Sequence, residues 1–225
     1  MPLWIVVVIG LMVSSLVGGV VVYNQPSVNI DDTVVALGRN TAGDTVGAGV
    51  IVDTHGGILT AAHVAEAFGD SPIIVTLNYD VENPLGEKTR TVVGRVVWSS
   101  SVADLAYIQV DAVTFRSEAK IASDGLDTGD AVLIIGHPHG YRWAHTAGHV
   151  AIPSVPGHPA GRYQGYWVTF LDATVAGGNS GGGVFNENGE LVGILSAGFA
   201  TYVEATAPIS MSIPSDVICR LLLCE

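Results

Sequence analysis

The sequence is poor in positive charge. Among its 225 residues, 9 Lys and Arg stand against 21 Asp and Glu, which gives a formal net charge of −12. The few basic residues form no cluster that could neutralise several phosphates, and a surface of this charge repels polyanions. We therefore expect no nucleic-acid partner.

Cysteine is also scarce. Cys219 and Cys224 both lie close to the carboxyl end. Five positions apart on one helix, they would point to different faces, which favours two thiols over a disulfide. No period of 20 to 50 residues repeats, so a solenoid or propeller is not expected. The high glycine content, with many Val, Ile and Thr, favours short strands joined by tight turns.

The amino-terminal segment lacks charge altogether. Residues 3–22 contain no Asp, Glu, Lys or Arg, and about 20 such residues in a helix can cross a hydrocarbon core of roughly 30 Å. Because no basic residue precedes the segment, it fits a cleavable signal less well than a membrane anchor. We expect residues 3–22 to contact the membrane, with a cleaved signal or packing in a soluble core as alternatives. The scarcity of positive charge downstream favours an extracytoplasmic location for the rest.

The remainder of the chain predicts an all-β fold. Two successive groups of about six short strands fit two packed antiparallel barrels better than one open sheet. The predicted strands of the first group span residues 33–37, 49–52, 58–60, 73–77, 91–98 and 105–110; those of the second span 131–135, 145–150, 166–170, 183–185 and 191–195. We place barrel one at about 33–114, barrel two at about 129–213, and a short helix at 214–223 begun by Ser215 or Asp216.

One serine lies in an unusual local sequence. Glycines flank Ser180 on both sides within residues 177–183, although glycine loses the most backbone entropy on folding. A tight turn whose amides point inward beside an accessible hydroxyl would explain this composition, because it provides a nucleophile and an oxyanion site together. An ordinary glycine-rich hairpin loop is the alternative.

A histidine and an aspartate make the nucleophile interpretation stronger. His63 lies among small residues at what we predict to be a strand end, and Asp104 begins an apolar strand. Taken singly, such residues are more often a buried core histidine and a turn or cap residue. Their combination with Ser180, in the order His, Asp, Ser, is typical of nucleophilic acyl-transfer sites.

These residues resemble the trypsin-like protease superfamily, and most closely its HtrA/Deg branch, over about residues 45–223. The resemblance rests on the segments GAGVIV (47–52), ILTAAHV (58–64), DLA (104–106), GD…IGHPHG (129–140), DATVAGGNSGG (172–182) and SIPS (212–215). It implies two six-stranded antiparallel barrels, a His63–Asp104–Ser180 triad, and peptide-bond hydrolysis. Family members also often form trimers, so a homo-oligomer is possible. The chain ends at Glu225 without a segment that resembles a PDZ domain, so we expect PDZ-mediated control to be lacking.

The resemblance also assigns the groups around the triad. The backbone amides of Gly178 and Ser180 would bind the oxyanion. The wall of the S1 pocket would consist of two segments: Thr174, Val175 and Ala176 before the nucleophile, and Ser196, Ala197 and Gly198 after it. Because Thr174 replaces an acidic residue at the pocket base, a Lys or Arg would lose its hydration there without a partner. We therefore expect cleavage of unfolded or flexible protein after small or medium apolar residues.

No cofactor is expected. The histidines at 137, 139, 145, 149 and 158 lack the helical spacing with a Glu that zinc hydrolases use, so we predict no metal site. Three other functions remain possible on the same fold: a catalytically silent peptide-binding pseudoprotease, an esterase, and a viral or phage processing protease.

Overall fold

The computed structural model describes residues 29–41, 44–78, 89–156, 167–198 and 206–222. The predicted membrane segment, residues 3–22, lies outside them. No helix within the described ranges is long and apolar enough to span a bilayer.

Six antiparallel strands form barrel one. They close in the spatial order β1-β2-β3-β6-β5-β4, and alternate side chains of each strand fill the interior because the pleat has a period of two. The strands are β1 (Val34–Gly38), β2 (Thr45–Asp53), β3 (Gly57–Thr60), β4 (Ile73–Leu77), β5 (Arg90–Ser100) and β6 (Leu105–Val110). A short helix, α1 (Ala62–Glu66), follows β3, and a 3-10 helix (Ile30–Thr33) precedes β1.

Six further strands form barrel two. These strands close in the order β10-β11-β12-β9-β8-β7. They are β7 (Ala131–Gly136), β8 (Ala144–Pro156), β9 (Trp167–Ala176), β10 (Gly183–Phe185), β11 (Leu191–Gly198) and β12 (Thr206–Pro214). A 3-10 helix (Pro138–Gly140) separates β7 from β8, and helix α2 (Ser215–Leu222) follows β12.

Apolar residues form three large clusters, and one of them joins the barrels. One cluster fills barrel one around Ile51 and Ile108, and another fills barrel two around Leu171 and Leu195. The third combines Val34, Val50 and Leu59 of barrel one with Ile135, Phe185 and Ile213 of barrel two, and also contacts α2. Because burial of apolar surface stabilises the folded state in proportion to area, this shared cluster holds the two barrels together as one body.

The predicted fold class is confirmed in its β-architecture: two six-stranded antiparallel barrels and a short carboxyl-terminal helix. The expectation that His63 ends a strand is wrong. Strand β3 ends at Thr60, and His63 lies in α1. Residues 62–66 (AHVAE) are good helix formers apart from His63 and Val64, and three of them, Ala62, Val64 and Ala65, are buried. Asp104 also lies one residue before β6, in the turn that leads into it.

A comparison of two glycines tests how tightly the barrels meet. Gly181 and Gly140 have nearly the same φ, +82° and +83°, but a Cβ on Gly181 would overlap Ala48 O and Thr60 Oγ1, whereas a Cβ on Gly140 would meet open space. We expect Gly140→Ala to lower the free energy of unfolding by about 1–2 kcal/mol, the cost of left-handed backbone for a residue with a Cβ. Gly181→Ala should lower it by about 2–5 kcal/mol because overpacking is added. Urea unfolding measures both values, and equal losses would mean that the close approach at Gly181 adds no cost of its own.

Candidate active site

His63 lies where two structural elements of barrel one meet. It occupies the first turn of α1, where the small residues Ala62 and Ala65 pack against Ala106 of β6. These small side chains let α1 approach β6 closely. The His63 side chain keeps 29% of its surface exposed, whereas that of Asp104 keeps 1%. The imidazole thus has one edge toward the protein and one toward solvent.

Asp104 holds His63 through three hydrogen bonds. The backbone N–H of His63 donates to Asp104 Oδ1 at 3.0 Å. His63 Nδ1 lies 3.0 Å from Oδ1 and 2.9 Å from Oδ2. With Nδ1 donating to the carboxylate, Nε2 of the neutral ring is left as the acceptor. That is the tautomer a general base needs.

Asp104 has a left-handed backbone, with φ of 53°. Asp tolerates this region better than most residues, because its short polar side chain bonds locally. The turn directs the carboxylate beneath α1 instead of along β6. We interpret this conformation as the reason an Asp at the edge of an apolar strand can reach the His63 ring.

Ser196 of barrel two supplies a further donor to the same carboxylate. Its buried hydroxyl donates to Asp104 Oδ2 across the barrel interface. Burial by itself raises the pKa of Asp104, but hydrogen bonds from His63 and Ser196, together with the charge of His63, lower it below its usual value. Asp104 is therefore ionised at neutral pH although it is buried.

Ser180 lies on the loop between β9 and β10. Its hydroxyl donates to the backbone carbonyl of Ser196 at 3.1 Å; within the part of the chain that the structure describes, it forms no hydrogen bond with the His63 ring. The loop is fixed by backbone bonds on both sides: Ala48 N–H donates to Ser180 O at 2.8 Å, and Gly181 N–H to Leu195 O at 2.7 Å. The first of these bonds attaches the serine's own peptide group to barrel one.

The backbone before Ser180 has a defined orientation. His139 N–H donates to Gly177 O at 2.8 Å, and His137 N–H donates to Gly178 O at 3.2 Å. In a trans peptide the N–H points opposite to the C=O, so the Gly178 N–H points away from the 137–139 segment. Gly178 has φ of +101°, and a Cβ there would overlap His137 O, so only glycine fits. Neither the Gly178 nor the Ser180 amide is used in a backbone hydrogen bond within the described residues.

The six residues predicted to line the S1 pocket lie in two strands of barrel two. Thr174 is exposed, Val175 is buried in the barrel core, and Ala176 is half-buried at the end of β9. Ser196 is buried. Ala197 and Gly198 pair with Met211 and Ser210 of β12. The S1 assignment itself stays a prediction.

Sequence reasoning missed the side-chain roles of Ser196 and His137. The resemblance assigns Ser196 to a pocket wall, and nothing local in its sequence indicates that its hydroxyl reaches Asp104, 92 positions away. The sequence presents His137 as one of several loop histidines, whereas it is fully buried and its Nδ1 accepts the Trp143 N–H at 2.9 Å. A histidine after an apolar strand, followed by Pro138, is the only local signal of this role.

Among the described residues, no three His, Cys, Asp or Glu side chains come together in a metal-binding arrangement. His145 lies 2.6 Å from Asp31 Oδ1 and so forms an ion pair when it is protonated. Its contact with the segment before β1 is a structural one.

The chain belongs to the trypsin-like peptidase family. The family model described as "Trypsin-like peptidase domain" matches residues 47–194, which include all three predicted triad residues. More narrowly, its relatives identify the chain as an HtrA-type member of that family.

Two relatives illustrate the similarity. The chain is 34% identical over 187 residues to a Haemophilus influenzae protein named "Probable periplasmic serine protease do/HhoA-like", covering 82% of this chain and 37% of the relative. It is 32% identical over 182 residues to the "Periplasmic serine endoprotease DegP" of Escherichia coli K12, covering 78% of this chain and 35% of the relative. The chain thus spans little more than a third of the length of these curated relatives.

Solved structures agree with the observed fold. The "HtrA-type protease AlgW with tripeptide" superimposes with a TM-score of 0.70 at 26% identity, covering 86% of this chain and 60% of that chain. A serine endoprotease from Yersinia pestis superimposes with a TM-score of 0.65 at 30% identity, covering 86% of this chain and 62% of that chain.

The buried His137 predicts a pH dependence of stability. The pKa of His137 is lowered from 6.5 to about 4, mainly because the ring is buried. The nearby Val35 backbone raises the pKa, whereas the positive charge of Arg142 lowers it further. The Val35 contact falls short of hydrogen-bond geometry, since Nε2 has no partner within the described residues. As pH falls from 6.5 to 4, the unfolded chain therefore binds a proton that the folded protein does not, and stability is lost.

We expect this group alone to lower the free energy of unfolding by about 3 kcal/mol across that range. Urea unfolding of the wild type and of His137→Asn between pH 4 and 8 isolates the effect. The difference between their free energies of unfolding should shrink or change sign as the pH falls only if His137 titrates. A difference that stays constant over this range would contradict a depressed His137 pKa.

Proposed function

We propose that this protein is a serine endopeptidase that hydrolyses peptide bonds through His63, Asp104 and Ser180. The observation that carries the proposal is the hydrogen-bonded pair of His63 and buried Asp104 beside the Ser180 loop. The Gly178 and Ser180 amides of that loop donate no backbone hydrogen bond to any described residue. Its membership of the trypsin-like peptidase family supports the same activity.

The proposed reaction begins with a rotation of the Ser180 side chain. Its hydroxyl leaves the Ser196 carbonyl and donates instead to His63 Nε2, which accepts the proton as Oγ attacks the scissile carbonyl carbon. Asp104, kept ionised by its hydrogen bonds, stabilises the imidazolium that forms. The amides of Gly178 and Ser180 stabilise the oxyanion, each by roughly 3–4 kcal/mol.

Collapse of the tetrahedral intermediate completes acylation. His63 gives its proton to the leaving amine, and the carboxyl-terminal fragment of the substrate departs with a new amino terminus. A water molecule then gives a proton to His63 Nε2 and attacks the acyl-serine. The second intermediate releases the new carboxyl group, and the proton returns to Ser180.

The proposed substrates are unfolded or flexible protein segments in an extracytoplasmic compartment. The names of the Haemophilus influenzae and Escherichia coli relatives place those proteins in the periplasm, which supports the compartment. Anchoring through residues 3–22 is proposed on the sequence alone, since that segment carries no charge.

Active-site labelling tests the proposed nucleophile. We expect a fluorophosphonate probe to label the wild-type chain and to leave Ser180→Ala and His63→Ala unlabelled. Ser123→Ala, at an exposed serine, is the matched control and should be labelled like wild type. Casein cleavage should follow the same order, with a loss of about 10³-fold or more in the two triad variants.

Two of the alternatives predict different outcomes of the same experiment. Folded wild type that stays unlabelled would contradict the proposal and favour a peptide-binding pseudoprotease. Labelled wild type that hydrolyses esters but not peptides would favour an esterase.

Cleavage specificity tests the predicted S1 wall. Peptides with Val, Ala or Leu before the scissile bond should be cleaved at least about tenfold faster, by kcat/KM, than those with Lys or Arg, because a buried cation would lack a partner. Thr174→Asp should raise cleavage after Lys or Arg relative to Val, whereas Thr128→Asp, at another exposed threonine, should not. An unchanged ratio in Thr174→Asp would remove Thr174 from the pocket base.

A further inference from the structure

The segment from His137 to Trp143 connects barrel one to the loop that carries Ser180. The Trp143 indole donates from Nε1 to Val34 O of β1 at 2.9 Å. Its backbone N–H donates to His137 Nδ1 at 2.9 Å. From the same short segment, two backbone amides reach the Gly177 and Gly178 carbonyls. A continuous path of hydrogen bonds therefore runs from β1 to the peptide group that presents the Gly178 amide.

The His137 ring occupies the centre of this path. It is fully buried, and the Trp143 ring packs edge-on against it, with ring centroids 5.4 Å apart and planes at 85°. Because Nδ1 accepts a hydrogen bond, the single proton of the neutral ring lies on Nε2. Among the described residues, the His137 ring and the Trp143 indole are the two side chains of this segment that form hydrogen bonds.

The backbone conformation of this segment needs stabilising contacts such as the hydrogen bond between Trp143 N–H and His137 Nδ1. Both His139, with φ of 51°, and Trp143, with φ of 52°, adopt left-handed backbone, which side chains with a Cβ rarely occupy and which persists only when the surroundings fix it. His139 is also the residue whose N–H fixes the Gly177 carbonyl. If the segment relaxed, this bond would be lost, and the peptide between Gly177 and Gly178 could turn its N–H away from the site.

We propose that His137 is a positioning residue which, through Trp143, holds the Gly178 amide in its oxyanion-binding orientation. This inference rests on the proposed peptidase function. His137 touches neither the substrate nor the reacting atoms; its effect passes through the backbone of His139 and Gly177. A loss of the Nδ1 acceptor should therefore weaken transition-state binding more than substrate binding.

The test compares two substitutions in the full chain. His137→Leu introduces an apolar side chain of similar length and removes the hydrogen-bond acceptor. His137→Asn retains an acceptor oxygen at the position of Nδ1. We expect His137→Leu to lose about tenfold or more in kcat/KM, mainly in kcat, and His137→Asn to recover most of it. Affinity for a peptide boronic acid, which forms a tetrahedral adduct with Ser180, should fall in parallel, whereas affinity for a product peptide should stay within about twofold.

A second variant and an independent measurement guard against a folding defect. Trp143→Phe removes the indole donor to Val34 and leaves His137 intact, and should move boronate affinity in the same direction by a smaller factor. Amide hydrogen exchange should show the His139 N–H protected in wild type and His137→Asn, and less protected in His137→Leu.

Four outcomes decide the matter. Selective loss of boronate affinity together with lost His139 protection supports the proposal. Folded His137→Leu and Trp143→Phe proteins with wild-type boronate affinity overturn it, as does an equal loss of boronate and product affinity, which indicates general damage to the cleft. If the wild type folds but has no peptidase activity above that of Ser180→Ala, the proposed function is refuted instead. Amide hydrogen exchange at His139 would then still show whether His137 holds the segment in place.

Discussion

The buried carboxylate of Asp104 is the constraint on which the site depends. A charge with 1% of its surface exposed is costly unless donors surround it, since water no longer solvates it. Two of its donor groups come from α1 of barrel one, and the third is the Ser196 hydroxyl of barrel two. The carboxylate can therefore be satisfied only when both barrels are folded and docked, which couples assembly of the site to completion of the fold.

Ser196 forms hydrogen bonds with both Asp104 and Ser180. Its hydroxyl stabilises the ionised form of Asp104, and its carbonyl accepts the Ser180 hydroxyl at 3.1 Å. A single residue of β11 thus contacts two members of the predicted triad through different atoms. The hydrogen bond to the carbonyl gives the Ser180 hydroxyl a partner other than His63 in this structure.

Much of the architecture could be predicted from the sequence because its signals are local. Short apolar runs such as residues 105–110 and 131–135 indicate strands, and glycines near Ser180 indicate a constrained loop. The triad could be predicted because its three segments resemble a known family. The helical placement of His63 was missed, since five residues are too short to show a helical period.

The connections across the barrels could not be predicted, because they join residues far apart in the chain. The Trp143 indole reaches Val34 over 109 positions, and no periodicity encodes such a contact. The burial of His137 was equally hidden, since a histidine after a strand is compatible with either solvent or core. Such contacts depend on how two closed barrels dock, and docking is a property of their surfaces taken together.

The cluster around Phe185 and Val34 that joins the barrels has a consequence for the connecting chain between β6 and β7. Backbone bonds join that linker to both barrels, from Ala119 to Ile51 of barrel one and from Lys120 and Ala122 to Leu191 of barrel two, but residues 123–125 are exposed. The covalent connection there adds little to the cohesion of the barrels, because the apolar contact between them is made by other residues. Two fragments divided at this turn should therefore recognise each other and reassemble. The two barrels thus resemble the subunits of a heterodimer, although a single chain contains both.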